Sequence, residues 1–142
     1  TLKETNIMPR RLTQTPEKTH LTMRNIAFES QVVTWLLHDG WQVFTPVLDN
    51  WHKTDILISD GQQYFRIQIK TISATKGKKN IEIENVWKHA PIHYVIYFAR
   101  EGEWGYIVPA FSEEKRPLEH AEHKFFELKR KEFLTAFHTI DQ

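Results

Sequence analysis

The nine-residue run at 64–72, Tyr-Phe-Arg-Ile-Gln-Ile-Lys-Thr-Ile, constrains the fold of this chain most. Side chains of a β-strand alternate between two faces, so Tyr64, Arg66, Gln68 and Lys70 leave on one side and Phe65, Ile67, Ile69 and Thr71 on the other. The apolar set marks the core side. Residues 55–58 form a second β-rich run, and the intervening Ser-Asp-Gly-Gln-Gln at 59–63 is a strong turn signal, so the two runs predict a hairpin. A loop over residues 60–63 sets Asp55 directly opposite Gln68. A two-residue turn at Asp60 and Gly61 sets it opposite Arg66, with Gln68 on the diagonal. Either loop leaves Asp55 on the face of Gln68 and Lys70.

The rest of the pattern supplies layers for this hairpin. Residues 1–22 are polar and carry Pro9 and Pro16, which predicts an irregular arm. An amphipathic helix is expected over 24–38, with Ile26, Val33 and Leu36 at helical spacing and Gly40 as its stop. Short strands are expected over 41–44, 93–99 and 105–108, the middle one apolar throughout as a buried strand is. A second helix is expected over 124–137, with Phe125, Phe126, Phe133 and Phe137 on its apolar side. The order predicts one domain of the α/β class, a mixed central sheet flanked by helices.

Composition narrows the chemistry. With 142 residues, 40% hydrophobic, the chain is long enough for one real core. It has no cysteine, which removes disulfide scaffolds, zinc-thiolate sites and thiol nucleophiles together. No apolar stretch approaches the roughly 18 to 20 residues a membrane span needs, and the N-terminus lacks a signal-like apolar run, so a cytoplasmic protein is expected. The net charge is only +1, so contacts to phosphate must come from local patches. Candidates are Arg10 and Arg11, and Lys76, Lys78 and Lys79 around Gly77. The eight histidines read as surface residues, since no cysteine or third ligand completes a site with them. Trp51, Trp87 and Trp104 read as core or subunit contacts ahead of stacking platforms for bases.

Glu29 is three residues after Ile26 and four before Val33, on the core-facing stripe of the first helix. A carboxylate there, an aspartate opening one strand, and an amide and a lysine two apart on its partner make sense as one site. Mg²⁺ takes hard oxygen ligands. Asp55, the amide oxygen of Gln68 and the main-chain carbonyl of Ile69 are candidate ligands, with Glu29 completing or supporting the set. Lys70 is placed to orient a water nucleophile or to stabilise charge in the transition state.

Asp55, then Gln68-Ile69-Lys70-Thr71, preceded by the helical Glu29, resembles the PD-(D/E)XK nuclease superfamily. The spacing is similar to that of its small members, archaeal-type Holliday junction resolvases and intron-encoded homing endonucleases. The resemblance spans about residues 25–109. It implies Mg²⁺-dependent hydrolysis of double-stranded DNA, with Mn²⁺ able to substitute, by a homodimer or homotetramer. Two positions depart from the superfamily pattern. Thr54 stands where a proline is expected, and Gln68 where an acid is expected two before the lysine. Glutamine there is similar to a branch of the homing endonucleases, which puts site-specific cleavage ahead of junction resolution. A DNA-binding module without catalysis is the reading from another class.

Overall fold

The computed structural model describes residues 8–48, 51–74 and 80–140. Helix α1 (Glu17–His38) is followed by β1 (Gln42–Phe44), β2 (Ile56–Ser59), β3 (Tyr64–Ile72), β4 (Glu82–Glu84), β5 (Tyr94–Ala99), β6 (Trp104–Pro109), β7 (Lys115–Pro117), β8 (Lys124–Glu127) and α2 (Arg130–Thr139). A six-stranded sheet runs β1-β2-β3-β5-β6-β8, and β4 and β7 form a separate antiparallel pair. Only β3 and β5 pair in parallel within the large sheet, so it is mixed, as the sequence predicts.

Helix α1 begins seven residues earlier than expected, inside the supposed arm. Pro16 is its N-cap, with φ −53°, and accepts the His20 N–H at 2.9 Å. A proline there opens a helix instead of breaking one, because its fixed φ suits the first turn and no partner exists for the missing N–H. The helix stops at Gly40 (φ +96°), where Gly40 N–H donates to Leu37 O at 3.0 Å and Trp41 N–H to Leu36 O at 3.1 Å. These two bonds satisfy carbonyls left over at the helix end, and they need a residue at ease with positive φ.

The helices cover one face of the sheet. Val32, Trp35 and Leu36 of α1 and Phe133 and Phe137 of α2 pack on Ile58, Phe65, Ile67, Ile96 and Phe126. Of the stripe read from sequence, Leu36 is buried and Val33 packs against the core, but Ile26 is mostly exposed. On the other face, Ile83, Trp87, Phe111 and Leu118 close over Val95, Tyr97 and Val108. That second core was not anticipated. It explains why Gln68, expected on an open face, is only 6% exposed.

The expected helix over 124–137 is instead strand β8 and then α2. Phe126 lies opposite Gly105 of β6, and Leu128 N–H donates to Glu103 O at 3.0 Å. Pairing with the sheet edge overrides the local helical spacing of the phenylalanines. A Cβ at Gly105 would collide with the Phe126 ring and with Tyr97 O, so only glycine lets the ring lie across β6. Trp87 is buried as expected, whereas Trp51 is 82% exposed and fills no core.

Candidate active site

Strand β3 is longer than its neighbour. Strand β2 pairs with it only from Tyr64 to Ile67, so the next residues of β3 present an edge that β2 does not cover. Asp55 stands at that step. Its N–H donates to Ile67 O at 2.9 Å, and its Oδ2 accepts the Ile69 N–H at 2.6 Å. Ser59 pairs with Tyr64, so the connecting loop has four residues, but the regular ladder ends at Ile56↔Ile67 and Asp55 N–H reaches the same Ile67 carbonyl, so the pairing of Asp55 with Gln68 expected from sequence is not continued. Backbone groups of a strand also alternate, so Ile69 turns its carbonyl toward the same edge as Ile67.

Gln68 and Lys70 leave β3 on the face away from the helices, level with Val95 and Tyr97 of β5. Lys70 is half-buried, and burial pushes the Tyr97 hydroxyl well above its ordinary pKa, so it stays protonated. The Gln68 Oε1 is buried and has no hydrogen-bond partner among the described residues. Leaving such an acceptor dry costs about 1–3 kcal/mol, so a water or a ligand is needed to satisfy it.

Glu29 reaches the site from α1 and is half-buried. It lines a cavity of about 370 Å³ together with Asn25, Ile69, Lys70 and Thr71. Asn25 was not singled out from sequence. Its Oδ1 is also buried without a partner among the described residues, and it lies four residues before Glu29, one helical turn away on the same side of α1. That spacing was the signal available in the sequence.

Glu29, Ile69 and Lys70 thus share one cavity, and Asp55 is tied to Ile69 by its hydrogen bond, whereas neither Asp55 nor Gln68 lines that cavity. Thr54, in place of the expected proline, accepts a bond from Arg66 Nε at 2.7 Å, a contact proline could not make. Arg10 and Arg11 are exposed ahead of α1 and line no part of this cavity. Lys76, Lys78 and Lys79 lie outside the described residues. Among the described residues no three His, Cys, Asp or Glu side chains gather as a metal-holding group, and no helix is long and apolar enough to cross a membrane. Any cation here would have to draw on amide and main-chain oxygens as well as Asp55 and Glu29.

No family model and no curated protein matches the chain. Among solved structures, the bacterial homing endonuclease I-Ssp6803I aligns with a TM-score of 0.53 at 15% identity, over 67% of this chain and 72% of that one. The mixed six-stranded sheet with its flanking helices is therefore a fold that this chain shares with a bacterial homing endonuclease.

Proposed function

We propose that the chain is a metal-dependent endonuclease of the PD-(D/E)XK type that hydrolyses phosphodiester bonds of double-stranded DNA. The observation that carries this reading is the step at the edge of β3, where Asp55 grips the N–H of Ile69, the residue after Gln68, whose Oε1 is buried without a partner among the described residues. The likeness in fold to a homing endonuclease supports it.

The donor set fits a hard divalent cation. Asp55, Gln68 Oε1 and the Ile69 carbonyl are the oxygen donors, with Glu29 supporting them, and a buried carbonyl without a partner is what a missing cation would leave behind. Mg²⁺, which Mn²⁺ can replace, supplies charge neutralisation on the scissile phosphate and a more reactive water. The protein's own part is positional. Asp55, tied to the β3 backbone, holds its carboxylate in one place. Lys70 borders the same cavity as Glu29, and its ammonium would orient the attacking water or offset charge on the phosphate as the bond breaks. Glu29 and Asn25 line that cavity and would offer acceptor oxygens to such a water.

Gln68 in place of an acid favours site-specific cleavage of a homing or restriction kind. A chain with one such constellation cuts one strand, so a homodimer or homotetramer supplies the second cut. The test is cleavage of supercoiled plasmid and of a synthetic four-way junction, with Mg²⁺ or Mn²⁺ and without metal, by the parent and by Lys70→Ala. Metal-dependent cutting by the parent alone is expected. Preference for the junction would make the chain a resolvase. DNA binding with neither cation binding nor cutting would leave a module without catalysis.

A further inference from the structure

A second cavity, of about 510 Å³, opens beside the start of β3, with Trp51, His52, Lys53, Arg66, Lys88 and His89 among its walls. That volume is in the range of small-ligand sites. Lys53, Arg66 and Lys88 face it, and among the described residues no Asp or Glu lines it. Trp87, 3% exposed and packed edge-on to Phe111, closes its floor, while Trp51 stands 82% exposed at its rim.

The backbone around this cavity is unusual. Trp51 (φ 92°), Lys53 (φ 66°) and Lys88 (φ 52°) are the non-glycine residues with positive φ among the described residues, and all three line it. Positive φ is a true outlier for a residue as bulky as tryptophan, and such strain gathers where a fold holds groups for a ligand. The rim is braced from below. Arg66 donates from Nε to Thr54 Oγ1 at 2.7 Å and from Nη2 to His52 O at 3.2 Å, and Lys88 N–H donates to Asn85 Oδ1 at 2.7 Å. Arg66 precedes Gln68 by two residues on β3, so the cavity adjoins the face that carries Gln68 and Lys70.

We propose that this cavity is a nucleotide pocket, taking one unstacked base of a DNA strand on the Trp51 ring and its phosphate on Lys53, Arg66 and Lys88. An exposed indole supplies stacking that any base accepts, and clustered cations with no acid among them supply the phosphate contact. The pocket rests on the reading of the chain as a DNA enzyme, since it would take a nucleotide near the one being cut.

The experiment measures binding of labelled duplexes by fluorescence anisotropy, in an Asp55→Asn background so that no cutting intervenes. Two probes share one sequence, one fully paired and one with a single unpaired nucleotide. The chain is expected to prefer the second by about tenfold or more, the range of one stacked base. Trp51→Gly removes the ring at a φ that glycine adopts freely, so the melting temperature should not fall, and the preference should vanish. Lys88→Glu should weaken both probes, the unpaired one more. Equal affinity for the two probes in the Asp55→Asn chain, or a preference that survives Trp51→Gly, would overturn the proposal. Failure of the nuclease reading looks different. The preference would persist in a chain whose Asp55 form never cuts DNA, whereas a cutting enzyme without the preference would remove the pocket alone.

Discussion

The Asp55 carboxylate accepts the backbone N–H of Ile69 across 2.6 Å, joining the residue before β2 to the part of β3 that β2 does not reach. One side chain therefore has a structural duty and, in the proposed chemistry, a catalytic one. The two can be separated. Asp55→Ala strands the Ile69 N–H in a half-buried place and should cost about 1–3 kcal/mol. Asp55→Asn keeps a carbonyl acceptor and should cost less than about 1 kcal/mol, yet lower Mg²⁺-dependent cleavage at least about a hundredfold. Urea denaturation read beside plasmid nicking checks both. Asparagine cutting as fast as aspartate would remove Asp55 from the chemistry.

Gln68 offers the opposite trade. Its Oε1 is buried and unsatisfied, so Gln68→Leu, of similar size and without the polar atoms, should leave stability unchanged or raise it. The same substitution removes a proposed cation ligand. Thermal melts with and without millimolar Mg²⁺ or Mn²⁺ should show stabilisation of the parent and none of the variant, since a ligand raises stability only through the state that binds it. A parent whose melting does not respond to either cation would count against Gln68 as a ligand.

Gly105 is a packing prediction free of any functional assumption. A methyl group there meets the Phe126 ring and Tyr97 O at once. Phe126 is 1% exposed and also packs on Trp35, Phe98 and Phe133, so it has nowhere to retreat. Gly105→Ala should destabilise by about 2 kcal/mol or more. A loss under about 0.5 kcal/mol would mean that β6 and β8 are not paired in this register.

Two histidines set the expected response to acid. Burial, reinforced by the Arg66 charge, lowers the His93 pKa below 6.5, and its Nδ1 accepts the Arg66 N–H at 2.9 Å. Burial also lowers that of His123, against the pull of the Leu118 carbonyl at 2.8 Å, and its Nε2 is buried with no partner among the described residues. In both the folded chain takes up a proton later than the unfolded chain as pH falls. Stability should be complete above about pH 6.5 and decline below it, toward the lowered folded values. Asp60 and Glu101, whose pKa values are lowered by backbone hydrogen bonds, add their losses only below the carboxylate range near pH 4. Urea midpoints between pH 8 and 5 measure the slope, and His123→Gln should flatten it. An unchanged slope would place the titration elsewhere.

The hairpin was legible because strand alternation and turn chemistry are local, while its loop length, four residues, is decided by the register. Asp55 at the start of the partner strand followed from counting, but not its pairing, since its N–H goes to Ile67 O. The second core was not legible, because Ile83, Trp87 and Leu118 come from short, weakly patterned segments that gain meaning only once β4 and β7 close over β5. For the same reason Gln68 read as solvent-facing and is buried. The phenylalanines at 125 and 126 read as part of a helix, and pairing with the edge of β6 overrides that reading. Asn25 went unnoticed beside Glu29 because the four-residue spacing alone does not tell an asparagine that faces the site from a solvated one until its oxygen is seen to be buried.

The parallel pairing of β3 with β5 has a consequence for the growing chain. Asn25, Glu29, Asp55, Gln68 and Lys70 all precede β5 in sequence, yet the strand that carries the last two is held in the sheet by Tyr94–Ala99. A parallel partner must arrive by a crossover, and such nonlocal pairings form slowly. A nascent chain that has emerged only as far as Ile72 holds every residue of the constellation and none of the strand that fixes its geometry, so during synthesis the site becomes assembled only after its own residues have long left the ribosome.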